Sequence, residues 1–313
     1  MPTELAPGVH RRATDYPHVC GLPLWLHVID AGDELVLLDA GIASTPEAAT
    51  GPELKKVGLD LADLTLIVNS HAHPDHMGGN AILKDRSGAR LAAPAAEAGW
   101  LEDNETLVSE LWGSDPAAMD LDERERAELF EMLGDRVRID LLLRDGDLLP
   151  SGDRPLRVIT TSGHSPGHIA VLDERSRTLF SFDDVQGRGQ RYLDGKVWLA
   201  PLYTDVERYV GGLQRLLELD FDALVPSHGD VLTADQGRQK VEQSLEWVHD
   251  VHEFTTASLR RKGSLTVREL AGSIGTELGD FGGICLQTVR MARAHLELLA
   301  RRGGAEPRWH HPG

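Results

Sequence analysis

Short apolar runs separated by turn residues recur along most of the chain and predict strands. The first two runs flank the turn Asp30–Asp33 and predict a hairpin. The predicted strands cover residues 22–28, 34–38, 64–68, 90–93, 137–143, 156–161, 170–172, 178–182 and 222–226. Apolar positions at helical spacing predict helices between them, at residues 45–57, 79–83 and 205–219.

The last 80 residues have a different pattern, because helical spacing replaces the short apolar runs. A long helix is predicted from Ala234 to about Arg261, followed by a short helix at 265–270 and another helix at 285–301. We therefore divide the chain into a catalytic domain, residues 1–233, and a small helical domain, residues 234–313.

Composition places the chain among ordinary globular proteins, with 313 residues, 41% hydrophobic and 26% charged. We find no apolar run of membrane-spanning length and no signal peptide at the start. The two cysteines, Cys20 and Cys285, are far apart and have no metal-type spacing. We expect a cytoplasmic protein without membrane partners.

Charge is distributed unevenly. Residues 255–313 contain nine basic and five acidic residues, a net charge of +4. Because the whole chain has a net charge of −18, the remaining residues carry −22. An acidic body would repel phosphate backbones, so a nucleic-acid substrate is disfavoured. The alternative explanation is that the acidic residues serve solubility.

Residues 97–135 are the most acidic stretch, with thirteen acidic residues against Arg124 and Arg126. Tryptophans, leucines and methionines are interspersed at roughly helical spacing, which predicts a helical insertion. One interpretation is a lid whose tryptophans and methionines line an apolar substrate pocket. The other is a surface helical hairpin packed by the same residues.

The clearest chemical signal is His71-x-His73-x-Asp75-His76, directly after the predicted strand 64–68. Imidazole and carboxylate ligands at the end of a rigid strand suit a divalent metal such as zinc. A lone histidine is more often structural, but this cluster would leave several polar groups to satisfy if it were buried without a metal.

This motif resembles the signature of the metallo-β-lactamase superfamily. The resemblance implies an α/β fold, an αββα sandwich with one or two metals at one edge. Three later elements match the family pattern in order, and each follows a predicted strand: His164 in Gly163–His168, Asp183 after Phe182, and His228 before Gly229. Phe182 replaces the usual glycine before the aspartate.

The resemblance also implies roles for these residues. His71, His73 and His164 would hold one metal; Asp75, His76 and His228 would hold another; Asp183 would bridge the two. Asp75 would act as the catalytic residue that orients a bridging water and transfers its proton. Asp39 would support the site from behind, and His168 would be structural. We expect two divalent ions, zinc first, with iron or manganese as alternatives.

Three functions remain open from the sequence. The first is hydrolysis of a small thioester, ester or lactone by a metal-bridging hydroxide. The second is a phosphodiesterase or ribonuclease, in which a winged-helix-like C-terminal module binds nucleic acid. The third, a binding protein on an inactive fold, is disfavoured by the complete ligand set. Gln186 replaces a tyrosine common in lactonases of the family, which disfavours a lactonase. We expect a small-molecule substrate and a homodimer.

Overall fold

The computed structural model describes residues 3–14, 24–191 and 197–302. Two β-sheets pack face to face, and helices cover both outer faces. The predicted αββα sandwich is therefore confirmed. Cys20, the first two residues of the predicted strand 22–28 and residues 303–313 of the predicted helical domain lie outside the described residues.

The first sheet has seven strands among the described residues, and they neighbour one another in chain order. They are β1 (Thr3–Ala6), β2 (Val9–Thr14), β3 (Leu24–Asp30), β4 (Leu35–Leu38), β5 (Leu66–Val68), β6 (Arg90–Pro94) and β7 (Leu141–Leu143). Strands β1 to β4 are antiparallel, whereas β4 to β7 are parallel. The parallel half brings the carboxyl ends of its strands to one edge.

The second sheet and a small ribbon contain the remaining described strands. These are β8 (Leu156–Thr160), β9 (Ile169–Asp173), β10 (Thr178–Phe182), β11 (Gln190–Arg191), β12 (Val197–Leu199), β13 (Ala223–Pro226) and β14 (Leu232–Thr233). The sheet order is β14-β13-β10-β9-β8, with β10 and β13 parallel and the other pairs antiparallel. The ribbon pairs β11 with β12.

Ten α-helices occur in the described ranges. They are α1 (Gly51–Lys55), α2 (Pro74–Met77), α3 (Asn80–Ser87), α4 (Ala98–Glu102), α5 (Asn104–Leu107), α6 (Glu123–Leu133), α7 (Val206–Glu218), α8 (Ala234–Lys262), α9 (Val267–Ser273) and α10 (Leu286–Arg301). Single π-helical turns cover Pro46–Thr50, Val108–Trp112 and Ile274–Leu278. Short 3-10 turns cover Leu61–Asp63 and Ala95–Glu97. None of these described helices has the length and apolarity needed to cross a bilayer.

Successive side chains of the buried strands point to opposite faces of their sheet, and they belong to three apolar clusters: one between the sheets and one under each helical layer. In β4, Val36 and Leu38 pack between the sheets, while Leu37 packs against the outer helices. In β9, Val171 lies between the sheets and Ala170 faces the opposite helical layer. Because both faces of these strands are covered, their sequences are continuous apolar runs, as the central strands of such sandwiches require.

The C-terminal helices share a core with the second sheet. Val241 and Trp247 of α8 and Leu298 of α10 belong to the same buried cluster as Leu213 of α7 and Leu179 of β10. A capping box between Thr233 and Gln236 fixes the start of α8. The predicted domain boundary at residue 233 stays a prediction, although the helices beyond it pack directly on the sandwich.

Two predicted elements differ in detail from the structure. The helix predicted at 45–57 divides into the π-helical turn and α1, since Pro52 has no N–H to continue the helical ladder. The strand predicted at 137–143 shortens to β7. Two residues of the missing part bond to side chains: Ile139 N donates to Glu102 (2.9 Å) and Arg138 O accepts from Lys84 (2.7 Å).

Gly78, between α2 and α3, lies where the insertion packs on the histidine segment. A Cβ on this residue would be 2.0 Å from Met132 O and 2.8 Å from Ala43 N, both backbone atoms. We expect Gly78→Ala to lower the free energy of unfolding by about 1–3 kcal/mol, measured by urea denaturation. Gly99→Ala is the matched control, because a Cβ there meets no atom within 4 Å. A loss of equal size in both variants would contradict this explanation.

Candidate metal centre

The predicted site residues lie at one edge of the sandwich, where strands of both sheets end. The histidine segment follows β5, Asp183 follows β10 and His228 follows β13. A β-bridge between Leu24 and His228 joins the two sheets at this edge. Residues far apart in the chain are therefore brought together by strand ends, as the sequence predicted.

All seven predicted ligands fall into two adjacent groups. His71, His73 and His164 form the first, and Asp75, His76, Asp183 and His228 form the second; within each group the candidate ligand atoms lie within 4.8 Å of one another. In the first group, Nδ1 of His73 is 2.9 Å from Nε2 of His71 and 3.1 Å from Nε2 of His164. We call these the three-histidine group and the mixed group.

The mixed group combines two carboxylates with two imidazoles. Nε2 of His76 is 3.3 Å from Asp183 Oδ2 and 3.4 Å from Asp75 Oδ2. Nε2 of His228 is 3.2 Å from Asp75 Oδ2. Asp183 Oδ2 also lies 3.9 Å from Nε2 of His164 in the three-histidine group. This single carboxylate therefore lies between the two groups.

Asp39 fixes the orientation of the mixed group from behind. Its carboxylate accepts hydrogen bonds from Ser70 N (2.7 Å), from Ser70 Oγ (2.9 Å) and from Nδ1 of His76 (2.8 Å). Nδ1 of His76 carries the proton in this arrangement, which leaves Nε2 available to a cation. The contacts agree with the supporting role expected for Asp39.

The three-histidine group is oriented in the same way by neutral partners. Nδ1 of His164 donates to Leu202 O (3.0 Å), and Nδ1 of His71 is 2.9 Å from Ser70 Oγ. His168 belongs to neither group. Its Nε2 accepts from Asp183 N (3.3 Å) and its Nδ1 is 2.9 Å from Thr161 Oγ1, so it holds the end of β10 in place.

Glu97 is a site residue that the sequence analysis missed, since it was counted among the acidic residues of the insertion. It is 1% exposed and accepts hydrogen bonds from Ala72 N (2.6 Å), Gly167 N (2.6 Å) and the Ser165 hydroxyl. It therefore joins the segment of His71 and His73 to the segment of His164. Its position in the sequence could have indicated this role, because Glu97 comes shortly after β6, which pairs in parallel with β5, the strand that precedes the histidines.

Burial determines the charge state of these groups. It lowers the pKa of His71 and of His73 well below the ordinary value, and that of His164 to about 4, so these imidazoles are neutral at pH 7. Burial alone would raise the pKa of Asp183, but facing imidazoles, His228 first, hold it far below its ordinary range. Neutral imidazoles are the state that binds a metal. In the mixed group, burial alone would lower the pKa of His76 and of His228, but the facing carboxylates raise both, so an ion bound there would displace protons.

The donor atoms themselves fit a divalent cation. Nε2 of His76 and Oδ1 of Asp183 are buried and make no hydrogen bond within the described part of the chain. Buried polar atoms without partners are rare in folded proteins, and a bound cation would satisfy them. Nitrogen and carboxylate oxygen are also the donor set that zinc and similar metals prefer.

Phe182 occupies the position before Asp183, where the family motif usually has a glycine. Its backbone is in the left-handed region, with φ of 47°, which a glycine would adopt without strain. The side chain is buried between the sheets and packs near Phe180, with ring centroids 6.5 Å apart. Buried aromatic packing therefore compensates the backbone strain, and the strand end keeps the geometry that the family motif requires.

A cavity of about 230 Å³ opens beside both groups. Its lining includes several ligand candidates, Gln186 and apolar residues of two regions. These are Trp112, Leu129 and Met132 of the insertion, and Leu199, Leu202 and Leu286 from later in the chain. No lysine or arginine lines it within the described ranges. The cavity can therefore hold an apolar group next to the candidate metal positions.

Residues 97–135 contribute some side chains to the cavity lining and others to the outer core, and their role as a lid stays a prediction. Trp112 lies over His73, with ring centroids 6.1 Å apart, and lines the cavity with Met132. Leu107 and Leu111 instead pack in the outer core. The insertion is thus both a cavity wall and part of the helical layer.

The basic face of α10 packs on this acidic insertion. Arg290 donates to Glu110 O (3.1 Å), and Arg293 pairs with Asp115. Arg301 at the end of the helix is 3.6 Å from Asp205. The arginines of α10 therefore contact the acidic part of the chain.

Comparison with known families agrees with this architecture. The model of the metallo-beta-lactamase superfamily matches residues 24–228, which include all seven candidate ligands. The chain belongs to the metallo-beta-lactamase superfamily. The sequence resemblance carried by the histidine motif is thereby confirmed.

Relatives within the superfamily include enzymes of thioester chemistry. The chain is 30% identical over 258 residues to the acyl-coenzyme A thioesterase MBLAC2 of Homo sapiens, covering 78% of this chain and 86% of that protein. It is 30% identical over 140 residues to a hydroxyacylglutathione hydrolase of Rhodopseudomonas palustris, covering 45% and 40%. A metallo-beta-lactamase family protein of Thermus thermophilus has the same fold, with a TM-score of 0.75, 22% identity and coverage of 96% and 95%.

Proposed function

We propose that this member of the superfamily is a hydrolase of acyl thioesters that depends on two divalent metal ions. The three-histidine group would hold one ion and the mixed group the other. Asp183 would contact both, because its carboxylate lies between the groups. Zinc is the first candidate, since imidazole and carboxylate suit it, with iron or manganese as alternatives.

Two such ions would lower the pKa of a shared water and polarise a substrate carbonyl. The protein's own residues supply the rest of the mechanism. Asp75 has an exposed edge on the cavity, with 16% of its side chain accessible, and is 3.2 Å from His228 Nε2. We assign it to orient the attacking water, accept its proton and return that proton to the thiolate after the carbon–sulfur bond breaks.

The observation that carries the substrate class is the cavity lining. Trp112, Leu129 and Met132 offer an apolar surface directly beside the reacting positions, which suits an apolar acyl group. Among the described residues, no lysine or arginine lines the cavity, so a carboxylate on the acyl group would have no cationic partner there. Together with the relative named acyl-coenzyme A thioesterase, this favours a neutral acyl thioester over esters or lactones, which share the same chemistry.

The phosphodiesterase or ribonuclease alternative has less support. It needs cationic side chains near the site or on the C-terminal helices. Arg290 and Arg293 are occupied by the insertion, so the basic face of α10 is covered where it was expected to bind nucleic acid. We therefore do not propose nucleic acid as a substrate. Homodimer formation stays a prediction.

We expect purified protein to contain about two metal ions per chain and to hydrolyse acyl-coenzyme A thioesters. Prolonged dialysis against a chelator should abolish turnover, and added zinc should restore it. The measurements are elemental analysis and a panel containing an acyl-coenzyme A, a lactone, nitrocefin and bis-p-nitrophenyl phosphate. Turnover of the phosphodiester alone would exclude thioester hydrolysis, and activity that survives complete metal removal would exclude metal dependence.

A further inference from the structure

The segment around Trp112, residues 108–118, forms one wall of the cavity but has little regular structure of its own. A π-helical turn, Val108–Trp112, ends at Gly113, and the segment continues as turns. Trp112 is half-buried and lies over His73. The turn continues α5 and is anchored by Leu111 in the outer core, whereas the turns after Gly113 depend on polar contacts from other parts of the chain.

Those contacts come from the last two described helices. Arg290 donates to Glu110 O (3.1 Å), and Arg268 of α9 donates to Ala118 O (2.6 Å). Arg293 donates to Ser114 O (3.2 Å) and makes two bonds to Asp115, one of them 2.7 Å long. Three arginines thus hold the segment on both sides of Trp112, across more than 140 residues of chain.

Arg290 is unusual among these contacts because it is only 8% exposed. Burying a guanidinium costs free energy unless the group is paired and hydrogen-bonded. Burial lowers the pKa of Arg290 to about 10, so it stays protonated at neutral pH. A buried cation that reaches a backbone carbonyl two residues before Trp112 constrains this part of the chain more than a surface ion pair would.

The same helix also reaches the cavity directly. Leu286 and Gln287, in the first turn of α10, line the same cavity as Trp112. Leu286, Arg290 and Arg293 are spaced at i, i+4 and i+7, so they share one face of the helix. The first turn of this face contributes to the cavity lining, and its arginines bond to the segment that carries Trp112.

We infer that α10 sets the width of the acyl cavity, with Arg290 and Arg293 as positioning residues for Trp112, and that this determines selectivity for acyl-chain length. The inference rests on the proposed hydrolysis of thioesters. A short acyl group need not reach Trp112, whereas a longer one must pack against it. Loosening the segment should therefore affect long acyl groups and spare short ones.

The test compares Arg293→Met with Arg302→Met in the metal-loaded full chain. Arg302 is a matched control, because it flanks the end of α10, pairs with Glu207 and has 31% of its side chain accessible against 36% for Arg293. The substrates are acetyl and octanoyl thioesters of N-acetylcysteamine. For Arg293→Met we expect roughly a 5- to 20-fold fall in kcat/KM for the octanoyl thioester, mostly through KM, and less than about twofold for the acetyl thioester.

Hydrogen exchange gives a readout independent of turnover. Amides of residues 108–118 should exchange roughly tenfold faster in Arg293→Met than in the wild type or Arg302→Met, because the segment loses its contacts to α10. Asp115→Asn should reproduce both effects, and the double variant should be no worse than either single one.

Faster exchange in residues 108–118 without a change in the octanoyl-to-acetyl ratio would overturn the role in selectivity. Unchanged exchange would overturn the positioning role. If the wild type hydrolysed neither thioester, the proposed function would fail, while the exchange data would still decide whether Arg293 holds the segment.

Discussion

Asp183→Asn is expected to reduce turnover by more than about 100-fold and to lower the metal content below two ions per chain. The substitution keeps the shape of the side chain but removes the charge that lies between the two groups. Asp183 Oδ2 is 3.3 Å from His76 Nε2 and 3.7 Å from His228 Nε2. No other carboxylate in the described residues is placed against both groups.

The neighbouring acid supplies the control for this experiment. Asp184 is also buried, but its carboxylate pairs with His168 and accepts from the backbone N of His164, and it belongs to neither group. We expect Asp184→Asn to keep two metals per chain and to lose roughly tenfold in turnover at most. Elemental analysis with steady-state kinetics on an acyl thioester distinguishes the two variants. Equal metal loss in both variants would show that the assignment of Asp183, rather than Asp184, as the bridging residue is wrong.

Glu97→Ala is expected to destabilise the protein by about 3–5 kcal/mol, because three buried donors lose their acceptor. The two segments that carry His71, His73 and His164 would no longer be joined, so affinity for metal should also fall by roughly 10- to 100-fold. Urea denaturation measures the first effect, and competition with a chromogenic chelator measures the second.

An exposed acid of the same insertion serves as the control for Glu97. Glu105 pairs with Arg126 at the surface, and its removal should change stability by less than about 1 kcal/mol. Glu97→Gln keeps the length and one acceptor oxygen, so it should fall between the alanine variant and the wild type. A Glu97→Ala protein with wild-type metal affinity would refute the positioning role, even if its stability were lower.

The positions of the proposed ligands were predictable because the family motif that the chain resembles names them, and each part of that motif follows an apolar strand. The proximity of His71, His164 and His228 can be predicted without knowing how the strands are aligned, since all three follow strand ends at one edge of the sandwich. The same holds for Asp39, whose place after β4 was informative. The long helix α8 was equally clear, since its apolar spacing and its cap at Thr233 are local signals.

The remaining features depend on contacts between distant parts of the chain. Glu97 resembled any other acid of the insertion until the parallel pairing of β5 and β6 placed it behind the histidines. Which tryptophan lines the cavity was also undetermined. Trp112 faces His73, whereas Trp100 bonds to Glu110, and helical spacing alone cannot separate these cases.

The distribution of the proposed ligands between the two sheets has a consequence for how the protein is made. Each group draws on a segment after β5 and on segments of the second sheet, so neither is complete in the first half of the chain. During synthesis the three-histidine group must wait for His164, and the mixed group must wait for His228. The nascent chain would thus acquire its two ions in order, the second only after both sheets have been synthesised.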